Sequence, residues 1–119
     1  MLITLLISLI LLSRGKADFT LEIYRELLRA LRQKGYQFLT FEQYCQLKAS
    51  LPKKFIILRH DVDLKAKNSL QTAQVEHELG IQASYYFRVV PQSNQPEIIR
   101  AIAALGHEIG YHYEDMAVA

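Results

Sequence analysis

The sequence lacks several features that would assign it to a class of protein at once. Its single cysteine, Cys45, excludes an internal disulfide and is expected to pack in or beside the core, because a free cysteine behaves mostly as a small hydrophobic residue. The 14 basic and 12 acidic residues give a net charge of +2 and form no cluster that would follow a phosphate backbone, so no nucleic-acid partner is expected. Internal repeats, low-complexity tracts and interdomain linkers are absent from the sequence. Since 50% of the 119 residues are hydrophobic, one small globular domain is expected.

The longest apolar run, residues 2–12, does not have the length of a membrane-spanning helix, which needs about 20 such residues. Its length suits the core of a signal peptide, but no lysine or arginine precedes it and residues 13–17 make a poor cleavage site. Two interpretations stay open: residues 1–17 are a tail upstream of the domain, or a secretory or membrane-anchoring segment. Membrane contact is expected only through this segment, and the domain is expected over residues 18–119.

Two helices are predicted before the first strand. Thr20 can cap an amphipathic helix, with Gly35 as its stop. Thr40 and Gln43 fit a capping box, which predicts a second short helix over residues 41–49.

The remainder of the chain is predicted to alternate strands and helices. The apolar run at residues 55–58 is typical of a strand covered on both faces, as in a parallel sheet. A helix over residues 66–79, with Leu70, Ala73 and His77 on one stripe, precedes a strand at residues 83–90. A last helix begins at Pro96 and ends at Gly106, and residues 107–112 begin the next strand. This order predicts an α/β fold with about three parallel strands and flanking helices, in which functional residues gather at the carboxyl ends of the strands.

A His-Asp-Val-Asp motif at residues 60–63 directly follows the first of these strands. Buried carboxylates and imidazoles are costly, so a chemical role is expected for them. Asp61 and Asp63 are two residues apart and leave an extended segment on the same side, where a cation or protonation must relieve their repulsion. A divalent metal would let one carboxylate bind the ion while the other takes a proton from metal-bound water. The alternative is that Asp63 only caps the following helix.

A second block rich in metal-ligand side chains lies near the end of the chain. His112 carries an imidazole that suits zinc or a similar ion, and Gly110 before it allows close backbone approach. His107 falls on the opposite face of a regular strand and is interpreted as structural or as support for a ligand.

Together the two motifs resemble those of polysaccharide deacetylases of the NodB-like chitooligosaccharide-deacetylase type. The resemblance covers residues 56–119, and the run from Gly106 to Gly110, followed by an aromatic residue and His112, looks like the second motif of that family. It implies a distorted β/α barrel, of which this chain would supply the amino-terminal part. It also implies an enzyme that removes acetyl groups from N-acetylated sugars and uses a divalent metal, for which zinc is the first candidate. Asp61 would be the general base, Asp63 would bind the metal and His112 would be the first histidine ligand.

The sequence departs from the family pattern in two places. The usual first motif has adjacent aspartates, which Val62 separates here, and the position of the usual second histidine is Met116, whose thioether is a weak ligand for such an ion. Glu114 or Asp115 are the open alternatives for the third ligand. Because the later motifs of the family are not in the sequence, we expect a fragment that is inactive alone. Two other hypotheses are a noncatalytic carbohydrate-binding or assembly module and a membrane-attached protein.

Overall fold

The structure, a computed structural model, describes residues 2–8, 20–62 and 66–111. In chain order its elements are β1 (Leu2–Ser8), α1 (Leu21–Gln33), β2 (Gln37–Leu39), α2 (Phe41–Leu47), a short 3₁₀ helix (Lys48–Ser50), β3 (Phe55–Val62), α3 (Ala66–Glu78), β4 (Ser84–Phe87), α4 (Pro96–Ala104) and β5 (Glu108–Tyr111). The predicted α/β class, with a parallel sheet, flanking helices and two preceding helices, is confirmed. Among the described helices, none combines the length and the apolar composition needed to cross a membrane.

All pairs of strands in the described sheet are parallel. Strand β3 pairs with β1, β2 and β4, and β4 pairs with β5. The register aligns Asp61 with Tyr86 and Tyr86 with Gly110, so β3, β4 and β5 reach the same edge of the sheet together. The sequence pattern does not predict β1 or β2. A three-residue strand such as β2 is too short to show alternation, and the run that contains β1 is interrupted only by Thr4 and Ser8, too few polar residues to alternate with the apolar ones.

The predicted helix caps are present. The Thr20 hydroxyl accepts a hydrogen bond from the backbone N–H of Ile23 at 3.2 Å. In the capping box of α2, the Gln43 N–H donates to the Thr40 hydroxyl at 3.1 Å and the Thr40 N–H donates to the Gln43 side chain at 2.9 Å. These bonds satisfy N–H groups that a helix start leaves without partners, which is why the two short polar signals locate the helices correctly.

The core lies on both sides of β3, whose side chains alternate between them. On the side we call the α3 side, Ile56, Leu58 and Val62 pack against α1, α3 and α4. On the other side, which we call the α2 side, Phe55 and Ile57 pack against α2 and β2. Beyond Ile57 the α2 side of β3 becomes polar and only partly buried, which marks the carboxyl end of the strand as the place for a site.

The expectation for Cys45 is wrong, because this residue is exposed. Helix α2 has only seven residues and none of them is buried. Phe41 and Tyr44 are half-buried and cover the core on the α2 side of β3, whereas the cysteine that follows Tyr44 faces solvent. A helix of two turns therefore covers the core with few of its side chains, and Cys45 is not among them.

Candidate functional site

Asp61, the predicted general base, lies near the carboxyl end of β3 on the α2 side. Its carboxylate accepts a hydrogen bond from Arg59 Nε at 2.8 Å, in an ion pair whose side chains are 30% (Arg59) and 19% (Asp61) exposed. The Arg59 guanidinium lies over the Tyr86 ring, 4.7 Å from the ring centroid. Asp61 is thus reachable from solvent and held in a defined orientation. Because arginine balances its charge, the arrangement suits a base held by a cation better than a metal ligand.

Tyr86 stands beside Asp61 in the register, and its ring extends across the neighbouring strand. A Cβ atom built at Gly110 would lie 2.2 Å from the ring, so only glycine at this position lets the ring lie there. The close approach expected at Gly110 is therefore made by a side chain of the protein itself. Burial and the nearby Glu108 carboxylate raise the pKa of the Tyr86 phenol, against the opposing effect of Arg59, so the phenol stays protonated and able to donate a hydrogen bond.

Glu108, from the second motif, connects three elements. Its carboxylate accepts hydrogen bonds from the backbone N–H of Glu42, at 3.0 Å, and from the Ser84 hydroxyl. The Ser84 hydroxyl also accepts a bond from the N–H of Phe41 at 3.3 Å. Glu108 thus fastens the start of α2 to β4 and β5, which gives this acidic residue a structural role.

The other predicted ligands lie outside the described residues. These are Asp63, His112 and the alternatives Glu114 and Asp115; Met116, at the position of the usual second histidine, also lies outside them. Among residues 2–8, 20–62 and 66–111, no group of three or more His, Cys, Asp or Glu side chains is placed to hold a metal ion. The predicted donor set, a carboxylate and an imidazole, has the chemistry of a zinc site.

His60, which precedes Asp61, points to the opposite side of the sheet and is fully buried. Its Nε2 donates to Glu76 Oε2 at 2.6 Å, and the Tyr24 hydroxyl donates to the same oxygen. The Tyr85 hydroxyl donates to Glu76 Oε1 at 2.6 Å, and the rings of His60 and Tyr85 stack with centroids 4.3 Å apart. Glu76 therefore accepts hydrogen bonds from three different elements at the interface of the sheet and the helices.

Two further residues complete what we call the Glu76 cluster, which consists of Tyr24, His60, Thr72, Glu76, Tyr85 and His107. The Thr72 and Tyr85 hydroxyls are 2.9 Å apart. His107 Nδ1 accepts a bond from the N–H of Ala83 at 3.0 Å, and its Nε2 donates to the carbonyl oxygen of Ala73 at 2.9 Å. Because an amide N–H can only donate, the His107 ring is neutral, in agreement with burial that lowers its pKa despite the nearby charge of Glu76. His107 thus has the structural role that its interpretation gave it.

The carboxyl group of Glu76 is ionised although it is buried. Burial alone would raise its pKa, but the attraction of His60 and the hydrogen bonds from His60, Tyr24 and Tyr85 lower the pKa below its usual value. Burial, with the charge of Glu76, raises the pKa of the Tyr24 and Tyr85 phenols far above the usual range. Both phenols therefore remain protonated donors to a charged acceptor.

The Glu76 cluster was not predicted from the sequence, because the expected buried stripe of α3 included His77 and left out Glu76. Of the expected stripe, Ala73 is fully buried and Leu70 is half-buried against the core, but His77 is exposed. Glu76, which the stripe did not include, is fully buried. Ser69 and Thr72 are also fully buried. The sequence did contain a signal, since Ser69, Thr72 and Glu76 recur at helical spacing beside the small Ala66 and Ala73.

The two sides of the motif therefore have different environments. Substrate cannot reach the Glu76 cluster, because Tyr24, His60, Thr72, Glu76 and Tyr85 have no exposed surface. Asp61, on the α2 side, is the motif residue among those described that solvent reaches. Any function assigned to this site rests on these residues, because comparisons with protein-family models, curated proteins and solved structures gave no match.

Proposed function

We propose that this chain carries the site of a metal-dependent hydrolase that removes acetyl groups from N-acetylated sugars, with Asp61 as the general base. The observation that carries the proposal is the position of Asp61. It is a partly exposed carboxylate at the carboxyl end of a parallel strand, held by Arg59 and opposite in direction to the buried His60. In parallel α/β folds this end of the strands is where functional residues gather.

The register of the strands supports a metal site next to Asp61. Val62, Phe87 and Tyr111 stand in one row across β3, β4 and β5. In the sequence, Asp63 directly follows Val62 and His112 directly follows Tyr111. Strands β3 and β5 are two strand spacings apart, about 9 to 10 Å, a gap that one ion with ligand bonds of about 2 Å and two side chains can bridge.

Asp63 and His112 would hold the ion, with Glu114 or Asp115 as the third ligand in place of Met116. When bound, zinc lowers the pKa of a coordinated water and polarises a carbonyl group. The described residues supply the proton chemistry and the orientation. Asp61 would take the proton of the attacking water, while Arg59 keeps its carboxylate in place. The net reaction adds water across the amide bond, breaks its C–N bond and gives acetate and a free amino sugar.

Release of acetate from an N-acetylated chitooligosaccharide, measured with and without zinc or cobalt, tests the proposal. Metal-dependent release would contradict the expectation that the chain is inactive alone, and Asp61→Asn should abolish any such release, because the amide of asparagine is not a useful base. The matched control is Glu78→Gln, which makes the same chemical change at a side chain that is 58% exposed. Release that Asp61→Asn leaves unchanged would refute the assignment.

A titration with zinc or cobalt tests the metal site separately from turnover. Saturable binding that is lost in both Asp63→Asn and His112→Gln would support the predicted ligands. A protein that binds N-acetylated oligosaccharides but shows no saturable metal binding would instead support the noncatalytic carbohydrate-binding module.

A further inference from the structure

We infer that Glu76 is a positioning residue for this site: from the α3 side it fixes the carboxyl end of β3, and with it the direction in which Asp61 projects. The inference rests on the proposed function only for its chemical consequence. The fixing of the strand end is a claim about the described residues alone.

Glu76 is the point at which the elements around β3 are joined. Its two carboxylate oxygens accept bonds from His60 on β3, Tyr24 on α1 and Tyr85 on β4. His107, directly before β5, lies 3.8 Å from Glu76 Oε1 and donates to the backbone of the same helix. A single buried side chain of α3 thus connects one other helix with two adjacent strands, and His107 joins the segment before β5 to the backbone of α3.

The link from Glu76 to Asp61 passes through one peptide unit. His60 and Asp61 are adjacent on an extended strand, so their side chains leave on opposite sides and share the backbone between them. When Glu76 holds the imidazole at 2.6 Å, and Tyr85 stacks on it, the backbone at His60 has little freedom to rotate. The direction of Asp61 is fixed by the same constraint.

A second contact holds the end of the same strand. The Ser93 hydroxyl donates to the carbonyl oxygen of Val62 and accepts a bond from the N–H of Arg88 at 2.9 Å. Ser93 is fully buried and lies after β4. The last residues of β3 are therefore held from the loop after β4 and from α3, in addition to their backbone pairing with the neighbouring strands.

Stability alone does not account for a charged group in this position. A buried ion pair loses much of its attraction to the cost of desolvation, and apolar side chains of similar volume often serve stability as well or better. What the hydrogen-bonded carboxylate adds is direction, since each of its bonds has a preferred geometry. These observations favour a role for Glu76 in orienting the Asp61 carboxylate from outside the site.

The test compares Glu76→Gln with Glu78→Gln in the full chain. The Glu76→Gln substitution keeps the size of the side chain but removes its charge, whereas Glu78 is an exposed carboxylate of the same helix, paired with Arg25 at 3.0 Å. We expect amide hydrogen exchange in residues 59–62 to accelerate in Glu76→Gln, with no matching change in residues 55–58. We expect Glu78→Gln to behave as the wild type in both segments. Acceleration spread evenly over the chain, or none, would overturn the inference.

The metal site provides the second readout. Cobalt affinity should weaken about 10- to 100-fold in Glu76→Gln, as is typical for partners that orient a ligand segment, and the visible spectrum of bound cobalt should change with its geometry. If the wild type binds cobalt and the variant binds it equally with the same spectrum, Glu76 does not position the site. If the wild type binds no cobalt, the proposed function fails, while hydrogen exchange still decides whether Glu76 fixes the strand end.

A milder variant covers the case in which Glu76→Gln does not fold. Tyr24→Phe removes one hydroxyl from the cluster and leaves the apolar part of the ring in place. The same local acceleration at residues 59–62, smaller in size, is expected. Exchange identical to the wild type in this variant would count against the inference.

Discussion

Replacing Glu76 with leucine should destabilise the protein by about 3 to 5 kcal/mol, the usual cost of breaking a buried ion pair by removing one partner. The substitution leaves the His60 imidazole and the Tyr24 hydroxyl buried without the acceptor that both now share. A buried polar group without a partner costs about 1 to 3 kcal/mol. Tyr85 is affected less, because Thr72 stays within hydrogen-bond distance of its hydroxyl.

A double-mutant cycle measures how much of this cost comes from the imidazole that is left without a partner. If the penalty comes from an unpaired imidazole, then His60→Leu in the Glu76→Leu background should recover about 1 to 3 kcal/mol. His60→Leu alone should be destabilising, because it removes the hydrogen bond that the imidazole donates to the buried Glu76 carboxylate. The two single substitutions should therefore be far from additive.

Urea unfolding followed by far-ultraviolet circular dichroism measures all four proteins of the cycle. Typical domains unfold with a free energy of only about 5 to 15 kcal/mol, so the loss should appear as a large shift of the midpoint at an unchanged slope. Glu78→Leu is the control and should stay within about 0.5 kcal/mol of the wild type, since its side chain is largely exposed. A cost below about 1 kcal/mol for Glu76→Leu, or additive effects in the cycle, would show that Glu76 is not the shared acceptor on which the buried donors depend.

Two other predictions follow from the described contacts. Because folding lowers the pKa of Glu76, its carboxylate contributes fully to stability above the unfolded pKa, about 4.3, and this contribution is lost as the pH falls through the lower folded value. Urea midpoints measured from pH 3 to pH 7 should thus fall at the acid end in the wild type, and less so in Glu76→Gln; parallel curves would contradict this. Gly110→Ala places a Cβ atom 2.2 Å from the Tyr86 ring and should cost about 1 to 3 kcal/mol by overpacking. Most of that cost should disappear when Tyr86→Ala is added, and thermal unfolding of the single and double variants would show whether it does.

The signals that predicted the fold are local ones. Thr20, Thr40 and Gln43 mark helix starts because the bonds they make reach only three residues along the chain. The apolar residues 55–58 mark β3 because a strand covered on both faces must be apolar on both. The same reasoning ended the strand too early, since it continues to Val62 through charged and polar residues. Those residues remain in the sheet because the backbone pairs with β4, which no local pattern reveals.

The candidate site also has a part that local sequence predicts and a part that depends on residues distant in the chain. The position of Asp61 near the end of a strand was predictable, because the motif that contains it directly follows an apolar run. The partner of His60 was not, because Glu76 lies 16 residues away and Tyr24 lies 36 residues away. A method based on hydrophobicity assigns a glutamate to the solvent side of a helix, and it is correct unless other elements bring donors to that glutamate.

The adjacent residues His60 and Asp61 therefore have different roles, one in packing and one in the candidate site. His60 needs a buried acceptor and contributes to how helices and sheet fit together, whereas Asp61 is partly exposed on the other side of the sheet. A substitution at His60 should thus affect Asp61 through the backbone they share, although their side chains leave the strand on opposite sides. For the same reason, loss of activity in a His60 variant would not by itself make His60 a catalytic residue. Only the substitutions that keep the Glu76 cluster intact, such as Asp61→Asn, separate the chemistry of the site from the packing that supports it.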